Sequence, residues 1–331
     1  MAFAMREEKP ELAECGSDVD QLVGRADLDD LIPALARDSK RMGTIESLVR
    51  RLQTRHDLIL GDARELHTLP NGTIHLVVTS PPYWKLKRYN ENEAQLGHVA
   101  DYDAFLDALD SVWEHCFRAL VPGGRLVCVV GDVCLSRRQN NGRHTVVPLH
   151  AAIQERCRRI GFDNLATIFW HKIANANYEV PGNTAGFLGK PYEPNAVIKN
   201  DVEFILMQRK PGGYRSPSRV ERVLSVVSAD NYQRWFRQIW DDIPGASTKG
   251  HPAPFPVELA ERLVRMFSFV GDLVLDPFMG TGTTNLAAAR WGRHSIGVEI
   301  DRVYFEMAKS RLRNEAVDLY CASEVRTHVH S

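Results

Sequence analysis

Residues 273–299 constrain the fold more than any other stretch of the chain. An apolar run predicts a buried strand at their start, residues 284–291 predict a helix, and residues 295–298 predict a second strand that ends at Glu299. The turn after the first strand, residues 276–284, reads DPFMGTGTT. Two strands joined by a helix form a βαβ unit, which requires a parallel sheet. The chain therefore predicts an α/β fold.

The Gly-rich turn of this unit predicts a ligand site. Gly280 and Gly282 let the backbone approach a ligand, and the following helix amino terminus favours an anionic group. About twenty residues on, Glu299 is placed where an acid accepts hydrogen bonds from ribose hydroxyls. A nicotinamide cofactor is the first alternative, but Asn285 replaces the third glycine of that fingerprint. A P-loop is excluded because no Gly-Lys-Ser/Thr is present.

The remaining pattern alternates between strands and helices, which predicts a parallel sheet with helices on both faces. Strands are predicted near residues 58–60, 74–78, 125–130, 165–170 and 202–207. Helices are predicted near residues 101–120, 147–160, 256–267 and 302–313.

Composition excludes several classes of protein. Of the 331 residues, 44% are hydrophobic and 25% charged, as in ordinary globular proteins. No apolar run reaches the ~20 residues that span a bilayer, and residues 1–10 lack a secretory signal pattern. We therefore expect a cytoplasmic protein without a membrane partner. None of the six cysteines forms a C-x-x-C pair, so no metal site is expected.

A second motif, TSPPYW, occupies residues 79–84 directly after a predicted strand. Its prolines end the strand in a rigid turn, at the sheet edge where ligands of open α/β sheets bind. The turn presents the Ser80 hydroxyl, the Pro81 carbonyl and the rings of Tyr83 and Trp84. Such a set suits a planar base and its amino group, although an ordinary turn beside a surface aromatic is the alternative.

Three segments carry a family resemblance. Residues 276–284 resemble the S-adenosyl-L-methionine motif of amino-group DNA methyltransferases, and residues 79–84 resemble the catalytic Ser-Pro-Pro-Tyr/Trp motif of their N4-cytosine branch. HPAPFP at residues 251–256 is similar to the segment before the cofactor loop. The motif order matches the β class. The resemblance implies a Rossmann-like, circularly permuted fold whose mostly parallel seven-stranded sheet has helices on both faces.

The resemblance also implies roles for individual residues. The implied catalytic residues are Ser80, Pro81, Pro82 and Tyr83, and the implied base-binding residues are Trp84 and Trp170. The implied cofactor-binding residues are Asp62, Thr79, Lys249, His251, Asp276, Pro277, Phe278, Gly280, Gly282, Thr283 and Glu299. Four of these have competing structural interpretations: a helix cap for Asp62, a core position for Trp170, a solvated side chain for Lys249 and a turn residue for His251.

The chemistry follows from the target atom. An exocyclic amine of cytosine or adenine is a weak nucleophile, because its lone pair is delocalised into the ring. Acceptors on its N–H bonds, here the Ser80 hydroxyl and the Pro81 carbonyl, free that pair. The amine is hidden in a duplex, so the base must be flipped out and stacked. Methylation at carbon 5 is excluded because the chain lacks a Pro-Cys pair.

The prediction is a DNA methyltransferase that transfers a methyl group from S-adenosyl-L-methionine to N4 of a flipped-out cytosine, within a restriction–modification system. Serine at position 80 favours cytosine. Alternatives are an N6-adenine methyltransferase, an RNA or protein amine methyltransferase, and an inactive DNA-binding module. Predicted partners are double-stranded DNA, with association to the nucleoid, a second subunit as a homodimer, and a cognate restriction endonuclease.

The expected organisation has five parts. Residues 1–50 form a partly helical extension, 51–171 the catalytic half, 172–250 a variable target-recognition region with one core strand near 202–208, 251–320 the cofactor half and 321–331 a tail. Basic residues in the variable region could neutralise DNA phosphates. They are Arg209, Lys210, Arg215, Arg219 and Arg222.

Overall fold

The computed structural model describes residues 9–24, 27–84, 95–135, 137, 140–172, 200–246, 255–315 and 323–329. Among these residues, no helix combines the length and the apolar character needed to cross a membrane.

Helices and strands alternate along most of the chain. The helices are α1 Pro10–Glu14, α2 Gly16–Val23, α3 Leu28–Arg37, α4 Ser39–Val49, α5 Tyr102–Ala119, α6 Leu149–Ile160, α7 Arg219–Leu224, α8 Ala229–Trp235, α9 Val257–Phe267, α10 Thr283–Arg290 and α11 Arg302–Glu315. The strands are β1 Arg55–Leu60, β2 Ile74–Thr79, β3 Leu120–Val130, β4 Val133–Leu135, β5 Thr145–Val147, β6 Asp163–Asn164, β7 Ile168–His171, β8 Val202–Arg209, β9 Ile239–Trp240, β10 Leu273–Asp276, β11 His294–Glu299 and β12 Glu324–Val329.

The main sheet runs β12-β1-β11-β10-β2-β3-β8-β7-β9, and β6 pairs with β8. Strands β12 to β3 are parallel neighbours, whereas β8 is antiparallel to β3 and to β7. The α/β class and the mostly parallel sheet are confirmed. Among the described residues this sheet has ten strands, three more than the seven expected. The additional strands are β12, at one edge of the sheet, and the two-residue strands β6 and β9. Strands β6 and β9 are too short to give a periodic signal in the sequence.

The sheet reverses its winding between β10 and β2. From β10 the chain passes through α10 to β11 on one side, and from β2 it passes through α5 to β3 on the other. Val274 pairs with Leu76 and Leu275 with Val77, so the two strands end side by side. A crevice opens at such a switch point, at the carboxyl ends of the strands. The topology therefore brings the two predicted motifs together.

Apolar side chains cover both faces of the sheet. One core cluster joins Phe105, Val112 and Trp113 of α5 to residues of α6 and the inner strands. On the other face, Leu259 and Leu263 of α9 pack with strand residues. Each fully buried aliphatic or aromatic side chain contributes about 1.5–3 kcal/mol. The two layers hold the strand ends that form the crevice.

Both ends of the chain contain helices or strands whose bounds were not predicted from the sequence. Helices α2, α3 and α4 bury Val19, Leu35 and Ile45 against α7, near Val270. The expected tail is wrong in part, because it contains β12, which pairs in parallel with β1. The residues of β12 are mostly polar and exposed, so they lack the apolar alternation that predicts a strand. A strand with so little burial is tolerated at the edge of a sheet.

The amino ends of the central strands carry a buried ionic cluster around Asp272. This side chain is inaccessible to solvent and accepts two bonds from the Arg215 guanidinium, at 2.5 and 2.6 Å, and one from Lys9 at 3.2 Å. Burial alone would raise the pKa of Asp272, but nearby His75, Arg215 and Lys9 lower it to about 2. The cluster ties the amino-terminal helices and the segment before α7 to the amino end of β10.

This placement bears on three of the basic residues expected to neutralise DNA phosphates. Arg209 pairs with Asp163, and Lys210 donates to the Leu120 carbonyl at 2.7 Å. Both lie at the end of β8 beside the start of β3, at the opposite ends of the strands from the crevice. Arg215 is held by Asp272, so these three side chains do not line the crevice.

We predict that Asp272→Asn lowers the free energy of unfolding at pH 7 by about 2–4 kcal/mol, because Arg215 loses its counter-charge and Lys9 keeps only that of Glu221. The pKa of Asp272 is depressed in the folded state, so its contribution is present above about pH 4 and is lost as the pH falls towards 2. Urea unfolding at several pH values measures both effects. The exposed Asp230→Asn should stay within about 0.5 kcal/mol of wild type. A difference that persists at pH 2 would contradict this account.

Candidate functional site

One hydrogen bond joins the two predicted motifs. The buried Thr79 hydroxyl, at the end of β2, donates to Asp276 Oδ1, at the end of β10, over 2.7 Å. Beside it, the Thr284 hydroxyl donates to the Val78 carbonyl over 3.2 Å. Residues nearly two hundred positions apart are therefore in direct contact. Both Thr79 and Asp276 lie beneath the site and hold the two turns in register.

Above this bond lies a cleft that is open to solvent on one side. Residues from both motifs and from the ends of β1 and β11 line it. They are Gly61, Asp62, Ala63, Ser80, Pro81, Pro82, Gln95, Leu96, Pro277, Phe278, Gly280, Val298, Glu299, Ile300 and Tyr304. Eight of the predicted site residues are in this set.

Glu299 lies at the tip of β11 and faces the cleft. Its Oε2 accepts the Gly280 N–H and its Oε1 accepts the Asp301 N–H, each at 2.8 Å. A carboxylate oxygen has two acceptor positions, so each oxygen can accept one further donor from a ligand. Burial raises the pKa of Glu299 to about 7, against the lowering effect of the two backbone donors.

The glycines of the turn serve two purposes. Gly280 has φ 53°, a left-handed conformation that lets its N–H point at Glu299. Gly282 has φ 77°, and a Cβ there would lie 2.9 Å from Leu312 Cδ1 of α11. Gly282 and the buried Thr283 therefore secure the helix packing behind the cleft and do not line it. Burial raises the pKa of Asp276 to about 6, while the Thr79 hydrogen bond opposes that rise.

Asp62 combines the two roles weighed for it. Its Oδ1 accepts the Arg64 N–H at 2.8 Å and so caps the short helix Ala63–Thr68, while the residue also lines the cleft. Phe278 lines the cleft and packs edge-on against Trp113, with 6.1 Å between ring centroids. The cap holds the loop after β1 in a fixed position beside the cleft.

The turn after β2, residues 80–84, which the resemblance implies to be the catalytic turn, presents its polar groups but not all its rings. Ser80 is partly exposed, and its hydroxyl donates to the Tyr83 hydroxyl over 3.4 Å. Tyr83 is buried within the core cluster of α5, so its ring is not presented to a planar base. The Trp84 indole donates to the Val99 carbonyl at 3.0 Å and packs on Tyr102. Trp84 has φ 41°, a strained conformation of a kind that concentrates at functional sites.

Trp170 is a core residue. Its side chain is 0% exposed, and its indole donates to the Ile243 carbonyl at 2.9 Å. The ring cannot stack on a base in this position, so the predicted base-binding role of Trp170 is corrected to a structural one. Two other candidates, Lys249 and His251, lie outside the described residues.

Sequence patterns missed several residues of the cleft. Gln95 is buried, and its amide donates to Asp301 Oδ2 over 3.2 Å. Asp301 in turn caps α11 by accepting the Val303 N–H at 2.8 Å. Leu96 and Tyr304 complete this wall. Neither Gln95 nor Leu96 belongs to a local motif, so only their approach in the folded chain identifies them.

The arrangement suits a ligand that has both an apolar ring and hydroxyl groups. Phe278 and Leu96 provide apolar surface, and Glu299 provides acceptors for hydroxyl groups. An S-adenosyl-L-methionine molecule, as implied by the motif, fits this combination of apolar surface and hydrogen-bond acceptors. The catalytic turn would lie at one end of such a ligand. Among the described residues, no cluster of His, Cys, Asp and Glu could hold a metal ion.

Comparisons with known proteins agree with this arrangement. The model of the N6_N4_Mtase family, described as DNA methylase, matches residues 74–310. The type II methyltransferase M.MjaI of Methanocaldococcus jannaschii is 37% identical over 281 residues, which is 76% of this chain and 89% of that protein.

Solved structures show the same similarity. TTHA0409 of Thermus thermophilus, in its complex with S-adenosyl-L-methionine, is 54% identical with a TM-score of 0.68, covering 83% of this chain and 100% of that one. The cytosine-N4-specific PvuII DNA methyltransferase shares the fold at 21% identity with a TM-score of 0.56, covering 81% of this chain and 92% of that one.

We predict that the Glu299 carboxyl of the ligand-free protein titrates near pH 7, because its burial disfavours the charge. The cleft then gains a negative charge as the pH rises through neutrality. Carboxyl-carbon NMR of the protein labelled at glutamate measures the titration, and Glu299→Gln identifies the resonance. A midpoint near the ordinary value of about 4.3 would contradict the prediction.

Proposed function

Because the chain belongs to the DNA methylase family, we propose that it transfers a methyl group from S-adenosyl-L-methionine to the exocyclic N4 of a cytosine in DNA. The observation that supports this most is the shared cleft. Ser80 and Pro81 of the catalytic turn line the same cavity as Gly280 and Glu299. An amine held at the turn would therefore face a cofactor held by the Gly-rich turn.

The residues of this chain would act by holding and orienting. Glu299 would accept hydrogen bonds from ribose hydroxyls, and Phe278 would pack against the adenine ring. The cofactor supplies an electrophilic methyl group on a positively charged sulfur. Fixing the amine in line with that methyl group removes much of the entropic barrier, which for well-oriented reactants is worth about 7–11 kcal/mol.

The catalytic turn would activate the amine. The Ser80 hydroxyl and the Pro81 carbonyl would each accept one N–H of the amino group. The nitrogen then becomes more tetrahedral, and its lone pair is freed from the ring. As the N–C bond forms and the C–S bond breaks, the nitrogen becomes an ammonium that readily gives up a proton. No strong base is needed for this step.

Serine at position 80 is the feature that favours cytosine over adenine in this proposal. Methylation of adenine N6 is the main alternative outcome. Membership of a restriction–modification system, a homodimer and a cognate endonuclease stay predictions from the resemblance. So does flipping of the target base out of the duplex.

Nucleoside mass spectrometry tests the proposed function and its base. The chain is expressed in a host that lacks its own DNA methyltransferases, and the DNA is digested and compared with DNA from a host carrying Ser80→Ala. We expect N4-methylcytosine with the wild-type chain. N6-methyladenine alone would reject cytosine as the target, and no methylated base would reject the function.

Removal of the serine hydroxyl has a specific expected effect on the kinetics. Ser80→Ala should lower kcat by about 10²-fold, the order seen when one preorganised hydrogen-bonding group is removed. Cofactor affinity by calorimetry should stay within about twofold, because the hydroxyl faces the amine. Loss of cofactor binding together with activity would contradict the role assigned to Ser80.

Gly280→Val should abolish cofactor binding, because a β-branched residue at φ 53° is strained and this position lines the cleft. Gly72→Val provides a matched control. Gly72 has φ 62°, lies in an exposed turn before β2, and has open space where a Cβ would stand. Calorimetry should show wild-type affinity for the control. Equal losses in both variants would indicate general damage to the fold.

A further inference from the structure

A charged pair lies beside the catalytic turn, on the side away from the cofactor cleft. Lys172 follows the carboxyl end of β7, and Glu203 lies near the start of β8. The Lys172 ammonium pairs with Glu203 Oε1, and the Glu203 side chain is only 10% exposed. Strands β2 and β3 separate this pair from β10 and β11, which hold the Gly-rich turn and Glu299. The pair therefore belongs to the half of the site left for the substrate.

Gly131 shows how close the pair lies to the catalytic turn. A Cβ built on Gly131 would lie 3.6 Å from Glu203 Oε1 and 3.7 Å from Tyr83 Cε2. The carboxylate and the tyrosine ring thus flank the same glycine at the end of β3. Strands are spaced about 4.8 Å apart, so the backbone of β8 lies about 10 Å from that of β2. A planar ring held at Ser80 would extend towards the pair across this interval.

Trp170 supports the pair from below. In the antiparallel register of β7 and β8, Trp170 lies opposite Glu203, so both side chains are on one face of the sheet. The Lys172 ammonium lies 5.0 Å from the centroid of the Trp170 ring. A cation over an aromatic face at this distance is attracted to it. The tryptophan expected to stack on the base instead fixes a lysine.

The target base has a feature that a fixed ammonium can recognise. In cytosine the ring nitrogen N3 adjoins the carbon that bears the amino group, and in adenine N1 does so. Both nitrogens are hydrogen-bond acceptors. With the amino group at Ser80, this nitrogen lies on the adjacent edge of the ring. An ammonium has three N–H donors, and the ion pair with Glu203 uses one.

Resting on the proposed function, we propose that Lys172 donates a hydrogen bond to the ring nitrogen that adjoins the target amino group, and that Glu203 is a positioning residue that holds and neutralises Lys172. The neutralisation has a chemical reason. An unpaired cation at the ring nitrogen would draw the amine lone pair into the ring and weaken the nucleophile. A lysine whose charge is balanced supplies the hydrogen bond with less of that penalty.

The lysine is tested with a base analogue. Sequencing of methylated DNA gives the recognition site, and a duplex is made with 3-deazacytosine at the target, or with 1-deazaadenine if adenine is methylated. On the natural duplex, Lys172→Met should raise the KM for DNA by on the order of tenfold and leave kcat within about twofold. On the analogue, wild type should show the raised KM and Lys172→Met should add nothing. Equal increases on both duplexes, or none on the natural one, would overturn the proposal.

Substitution of Glu203 should change kcat, whereas substitution of Lys172 should change KM. Glu203→Gln should lower kcat by about tenfold, because Lys172 is left as an unbalanced cation beside the ring. The double variant Lys172→Met with Glu203→Gln should recover most of that kcat while keeping the raised KM. A double variant as slow as Glu203→Gln, or slower, would show that Glu203 acts only in the packing of the strands.

Lys210→Met is the matched control. Lys210 follows the carboxyl end of β8, which lies away from the cleft. Its ammonium is 5.1 Å from the centroid of the Phe117 ring. Its KM for DNA should equal that of wild type, and thermal unfolding should show that every variant is folded. Wild-type protein that methylates no duplex would reject the proposed function itself, which is a different result from any named for the pair.

Discussion

The site depends on the buried hydrogen bond from Thr79 to Asp276. It joins the ends of two parallel neighbours, β2 and β10, which are far apart in the chain. Both turns above these strands are rigid for local reasons: one contains two consecutive prolines and the other a left-handed glycine. Two rigid turns fixed side by side give a cleft whose walls are set before any ligand arrives, and preorganisation of this kind reduces the cost of binding.

Burial determines the electrostatics of that cleft. Asp276 and Glu299 both have raised pKa values because each lies in the interior near the strand ends. The structure compensates with donors that are fixed in place: a threonine hydroxyl for Asp276, and two backbone N–H groups for Glu299. Both carboxyl groups are therefore held in fixed orientations. Hydrogen bonds are stronger in the protein interior than in water.

The carboxyl ends and the amino ends of the strands have different functions. The carboxyl ends of the strands carry the cleft and the Lys172–Glu203 pair. At the amino ends, Asp272 binds Lys9 and Arg215, and so attaches the amino-terminal helices and the segment before α7 to the sheet. Arg215, one of the five basic residues expected to neutralise DNA phosphates, is used in this attachment.

Features that depend on near neighbours along the chain could be predicted from the order of the residues. Alternating apolar periods gave the main strands and helices, the prolines gave the turn after β2, and the glycines with a downstream acid gave the turn after β10. Local sterics and hydrogen bonding decide such features. Only the tertiary structure decided that Trp170 is buried, that Gln95 and Tyr304 reach the cleft, and that Arg215 binds Asp272. It also decided that the exposed, polar β12 forms a strand at all. Burial and pairing depend on partners far away in the chain, and no local pattern specifies them.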